Sequence, residues 1–241
     1  MMDKNKQQYQ HRYKRGQGGF SLIELMIALV LGLIIVGAVI NAFLAMSQTY
    51  KVQDALSRAQ ESGRFALELV SQELRMAGFT DTAQRALIGY PQVTAQASLP
   101  SAVDDQVNDA VTSEMLFIDT HDSGGGLALY VAPDGQSGIS TLYAGTQALV
   151  EGVASIIFSY GLDTNNDFQV DRFAPSSTVG IDWTQVVAVR VWILAVGGER
   201  GAVDTAQTLA APFAAVDTSD RRLYQAFATT IALRNALLDK P

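Results

Sequence analysis

Hydrophobic and polar positions fall into three regimes along this chain. Residues 1–19 are polar and basic, and then Leu25 to Met46 (LMIALVLGLIIVGAVINAFLAM) runs for 22 residues without a charged side chain. A helix of that length spans about 33 Å, enough for the hydrocarbon core of a bilayer. Past it the pattern becomes amphipathic. Val52, Leu56, Ala59, Gly63, Ala66, Val70, Leu74 and Ala77 recur at steps of three or four, opposite Lys51, Asp54, Arg58, Glu61, Arg64, Glu68 and Arg75. This spacing predicts a helix with one apolar stripe, stopped at Gly78. From Phe20 to Ala77 is 58 residues, about 87 Å if unbroken. Such a helix outruns a compact domain, so its first half is expected to protrude. No proline precedes Pro91, which leaves Gly32 and Gly37 as its weak points.

Beyond Gly78 the period shortens to two. Residues 80–113 are polar and small and read as loop. Strands are expected at Met115–Asp119, Leu127–Ala132, Ser155–Tyr160, Val186–Val196 and Tyr224–Leu233. Gly124-Gly125-Gly126 and Pro133-Asp134-Gly135 punctuate them, and residues 197–222 read as a long exposed connection. The fold class is α+β: a long N-terminal helix packed on an antiparallel β-sheet head.

Composition narrows the function classes. With 241 residues and 48% hydrophobic content, the chain can bury one core of ordinary size. There is no cysteine, which excludes disulfides and thiolate metal sites. The two histidines, His11 and His121, leave little for chemistry. The formal charge of −7 is asymmetric: residues 1–19 carry +4, leaving −11 on the rest. An acidic body argues against binding to nucleic-acid backbones. The basic start also places residues 1–19 on the cytoplasmic side of a membrane span and the acidic body across it. An alternative is an ordinary secretory signal cleaved after Ala45-Met46-Ser47, although the apolar run is long for one and Glu24 stands at its head.

The junction reads Lys14-Arg15-Gly16-Gln17-Gly18-Gly19-Phe20-Ser21-Leu22-Ile23-Glu24-Leu25-Met26. It resembles the prepilin signal of type IV pilins and of type II secretion pseudopilins. The resemblance implies cleavage by prepilin peptidase between Gly19 and Phe20, N-methylation of Phe20, and retention of the apolar helix. It further implies that Glu24 pairs with the N-terminal amine of a neighbouring subunit and sets filament register. An acid inside an apolar span is costly unless paired. The alternative for Glu24 is a carboxylate tolerated at the membrane interface.

Leu149-Val150-Glu151-Gly152-Val153, Tyr160-Gly161-Leu162-Asp163, Val187–Trp192 (VAVRVW) and Thr229-Thr230-Ile231-Ala232-Leu233-Arg234-Asn235 are similar, in order, to segments of the PilW-like minor pilins. That family implies a pilin lollipop with four parts: leader 1–19, transmembrane or filament-core helix 20–46, amphipathic half 47–78 and periplasmic β-rich head 79–241. It implies a minor pilin of the type IV pilus that primes or caps assembly, serving adhesion, twitching motility or DNA uptake. The expected partners are other minor pilins, the major pilin, prepilin peptidase and the inner-membrane assembly platform. The expected location is the inner membrane by a single pass, with a periplasmic head, then the cell-surface pilus. The alternatives are a minor pseudopilin of type II secretion and a membrane-tethered adhesin or binding domain.

One loop could hold a hard cation. Asp163, Asn165, Asp167 and Asp171 place oxygens at positions 1, 3, 5 and 9 of a calcium-type loop, but Phe168 stands where glycine is usual and Ala174 where a bidentate acid belongs. An Asx-rich turn with solvated carboxylates is the favoured reading, and no other cofactor is expected. No P-loop, Gly-x-Ser-x-Gly or His-Glu-x-x-His motif occurs. His121 beside Asp119 and Asp122 reads as a surface turn residue, and Arg221-Arg222 as solvated charge. The chain is therefore not expected to be an enzyme.

Overall fold

The structure, a computed structural model, describes residues 19–77, 87–91, 107, 111–122, 125–134 and 139–233, with backbone only for 119–122 and 125. The expected features at Gly78, Gly124, Gly135 and Arg234-Asn235, and the leader as far as residue 18, lie outside the described residues. One helix, α1 (Leu22–Met76, 55 residues), opens the fold, and the chain divides into two compact units, Met1–Ser47 and Gln48–Pro241.

In the first unit the helix is uncovered. Every large apolar side chain from Phe20 to Met46 is between 54% and 82% exposed. The sequence still favours helix there, since Leu, Ala and Met are strong formers and no proline interrupts. Asn41 is accommodated because its side-chain amide donates to the Gly37 carbonyl one turn back at 2.9 Å. One of its two amide donors is thereby satisfied within the helix.

In the second unit α1 buries Ala55, Ala59, Gly63, Ala66, Val70, Ser71 and Leu74. The stripe foreseen from the sequence is shifted at its start: Ala55 is buried while Leu56 is 38% exposed. The reason is backbone proximity. A side chain at Gly197 would run into the Ala55 carbonyl, and one at Gly63 into the Phe227 ring. On the α1 side the seam is lined by small residues from Ala55 to Ala66.

Among the described residues, nine strands form two antiparallel sheets. β1 (Leu87–Tyr90), β2 (Met115–Asp122), β3 (Gly125–Pro133), β4 (Ser140–Ala144) and β5 (Gln147–Glu151) lie side by side in chain order. β6 (Val153–Leu162), β7 (Arg172–Pro175), β8 (Val186–Gly197) and β9 (Leu223–Ala232) form the second sheet in the order β7-β6-β8-β9. Gly152 turns the chain from one sheet to the other at φ +79°, a conformation glycine adopts without penalty. Leu116, Leu129 and Leu142 from the first sheet meet Phe158, Tyr160 and Val191 from the second, and Val70 and Leu74 from α1, in one core. Full burial of each large side chain contributes roughly 1.5–3 kcal/mol. The far face of the five-stranded sheet has a smaller cluster around Met115, where Tyr130 and Tyr143 stack with ring centres 5.4 Å apart.

The α+β class and the five expected strands are all present. β1 falls inside the stretch read as loop, and β4, β5 and β7 are additional. His121 lies within β2 rather than in a turn. Residues 197–222 are not a bare exposed connection: Phe213, Ala202 and Thr218 are buried. The Thr218 hydroxyl donates to the Gln207 carbonyl at 2.6 Å. The Gln207 side chain then clamps β9, accepting from the Tyr224 N–H at 2.6 Å and donating to the Tyr224 carbonyl at 3.4 Å.

Candidate functional site

The sequence-predicted processing and assembly residues sit together at the head of α1. The helix begins one residue after Ser21, whose carbonyl accepts from the Leu25 N–H at 3.1 Å. Phe20, just ahead of it, is 82% exposed. A side chain built at Gly19 would meet nothing within 4 Å, and the same holds at Gly32 and Gly37. Packing within the described chain therefore does not demand glycine at any of the three. Glu24 occupies the first turn of α1, where unpaired backbone N–H groups favour a negative charge, and it is exposed. Among the described residues α1 is the one helix long and apolar enough to cross a membrane.

The loop between β6 and β7 brings Asp163, Asn165, Asp167 and Asp171 into one turn, but their oxygens serve the loop itself. Asp163 is buried, and its carboxylate accepts from the backbone N–H of Asp167 at 3.2 Å and of Phe168 at 3.1 Å. Asn165 Oδ1 accepts from the Asp167 N–H at 2.9 Å, and Asp167 Oδ1 from the Gln169 N–H at 2.9 Å. Asp171 Oδ2 accepts from the Thr164 hydroxyl at 2.6 Å and N–H at 2.7 Å. These bonds hold the Asp171 carboxyl below the usual carboxylate range, the hydroxyl being the larger cause. Asn166 and Phe168 take positive φ of 61° and 64° to close the turn. Among the described residues no three His, Cys, Asp or Glu side chains are grouped to hold a metal ion. The arrangement is that of an Asx-rich turn.

Two half-buried charged groups lie outside the sequence-derived sites. Glu114 accepts from the Phe158 N–H at 2.9 Å, joining the two sheets, and burial pushes its carboxyl up. Arg190 lies with its guanidinium 3.9 Å from the Phe173 ring centre and 5.8 Å from that of Trp192. An arginine inside the apolar run VAVRVW is the signal that marks it. A groove of about 760 Å³ opens between α1 and the Gly197–Ala202 turn. Its charges are balanced, Lys51 and Arg200 against Glu61 and Glu199 among them, so it selects neither anion nor cation.

Comparison with known proteins bears on both ends of the chain. The family described as Type IV Pilus-assembly protein W matches residues 116–235. The family described as Prokaryotic N-terminal methylation motif matches residues 14–40. The solved structure of a type IV-like pilin from Thermus thermophilus aligns with a TM-score of 0.45 at 13% identity, over 74% of this chain and 97% of that one. No curated protein matches the chain.

Proposed function

Given that this chain is a type IV pilin-like protein, we propose that it is a minor subunit of the type IV pilus that primes or caps assembly through helix packing rather than catalysis. The observation that carries this reading is the uncovered half of α1. Eighteen large apolar side chains between Phe20 and Met46 are exposed, and water does not tolerate such a surface. Lipid covers it before assembly and sister helices cover it afterwards, with the head held on the periplasmic side.

Gly19 and Phe20 form the cleavage junction. The open space around Gly19 supports a requirement imposed from outside the chain, by the active site of the prepilin peptidase. Glu24 is the assembly residue. Left alone in a hydrocarbon setting, an acid costs about 3 kcal/mol, and pairing with the methylated amine of the neighbouring Phe20 removes that cost while fixing the axial step. The other minor pilins, the major pilin and the assembly platform are the partners this role requires.

Intact mass of the membrane-extracted protein tests the processing: the expected chain starts at Phe20 and carries one added methyl group. A start after Ser47 would make it an exported soluble protein instead. Glu24→Ala tests assembly, with incorporation into sheared pili expected to fall about tenfold or more for a lost pairing of this size. Undiminished incorporation would remove Glu24 from the mechanism.

A further inference from the structure

Among the described residues the two sheets have four edges, and three of them are protected against pairing. β1 has four residues. β5 has five, carries Glu151, and pairs with β4 through an irregular register. β7 has four residues, among them Arg172 and Pro175. Short strands, charges, proline and irregularities are the usual means of blunting an edge.

β9 has none of them. It runs ten residues, Leu223–Ala232 (LYQAFATTIA), without a charge or a proline. It pairs with β8 in unbroken register along its whole length and closes the sheet on that side. The Leu233 N–H donates to the Val187 carbonyl, so odd-numbered residues of β9 bond to β8 and even-numbered ones turn their N–H and C=O outward. At Tyr224 the Gln207 amide takes both outward groups. At Ala226, Ala228, Thr230 and Ala232 no hydrogen bond from another described element meets them, and all four residues are exposed. This leaves a strand-shaped template about 20 Å long.

The side chains on the even-numbered face say what kind of strand fits. Ala228 is paired with Trp192, and Ala226 with Leu194. Paired residues share a face, so the half-buried Trp192, with the Arg190 guanidinium 5.8 Å from its ring centre, stands beside small alanine side chains that leave a shallow trough along the strand. A second copy pairing through its own β9 would set alanine against alanine and leave that trough empty. It would also bring together two acidic bodies, which repel. We propose that the β9 edge is a strand-addition site for an extended segment of a different polypeptide, one that places large apolar side chains over Ala226 and Ala228 beside Trp192. Main-chain bonds would supply the affinity and the trough the selection. This inference stands apart from the assembly role proposed for α1.

The test is residue-resolved amide hydrogen exchange on the full-length chain in detergent, with and without a peptide of alternating Phe and Thr flanked by lysines. In the free protein the amides of Ala226, Ala228, Thr230 and Ala232 are expected to exchange quickly, while those of Phe227, Thr229 and Ile231 are protected. Millimolar peptide is expected to slow the first four by about tenfold or more. A peptide of alternating Ala and Thr, which cannot fill the trough, is expected to protect them less. Ala228→Pro removes an outward N–H that β8 does not use, and Ala228→Lys puts a charge in the trough; both are expected to abolish the protection. Slow exchange of the four amides in the free, dilute protein would mean that the edge is covered from within and would overturn the proposal. So would protection that rises with protein concentration alone, or no effect of the Phe-Thr peptide.

Discussion

Asp163 illustrates how one side chain sets a local backbone. Its buried carboxylate collects the N–H groups of Asp167 and Phe168, and it does so across a turn in which Asn166 and Phe168 are left-handed. Asp163→Ala is expected to destabilise the protein by about 1–3 kcal/mol, since two hydrogen bonds to a buried carboxylate are lost, as read by denaturant unfolding. Asp171 in the same turn is a carboxylate with a depressed folded value. Its contribution is complete above 3.8, the ordinary value, and fades as the pH falls through the lower folded one. An NMR titration of the Thr164 amide is therefore expected to reach its midpoint below pH 3.8. At this scale the alternating oxygens of 163–171 were readable, because the contacts are local. The bond from Phe158 to Glu114 spans 44 residues, and nothing in the residues near either end announces it.

The elements pack according to which side chains are absent. Gly197 lies against the Ala55 carbonyl, and a main-chain atom cannot swing aside as a flexible side chain does. Gly197→Ala is thus expected to cost roughly 1–3 kcal/mol through overpacking and to lower the unfolding midpoint. Gly63→Ala meets first the Phe227 ring, a side chain that can shift, and is expected to be the milder change. The long elements were legible because periodicity accumulates with length: α1, β8 and β9 were all anticipated within a few residues. β1, β4, β5 and β7 have four or five residues each, too few for alternation to stand out, and they exist because longer neighbours offer hydrogen bonds. The stripe was misplaced at Ala55 and Leu56 for a related reason. Hydrophobicity ranks leucine above alanine, whereas the approach of Gly197 requires the smaller residue.

For the whole molecule, the two units differ in what covers their apolar side chains: those of the first are exposed, and those of the second form a core. The unit from Gln48 onward contains the seam, both sheets and the whole shared core, so a chain starting at Gln48 is expected to stay soluble and unfold in one cooperative transition. Circular dichroism and sedimentation check this; loss of cooperativity would mean that residues before Gln48 supply part of the fold. The contrast between an uncharged run and an amphipathic one is readable in the sequence, since solvent preference is written in composition. Which small side chains meet across the seam is not, because that depends on distances between segments far apart in the chain. The Gln207 amide has a consequence at this scale too. By occupying a single rung at Tyr224 it acts as an end stop: an incoming ribbon is stopped from sliding toward the Arg221-Arg222 turn, so it must start at Ala226 and its alignment is dictated before any of its own side chains are read.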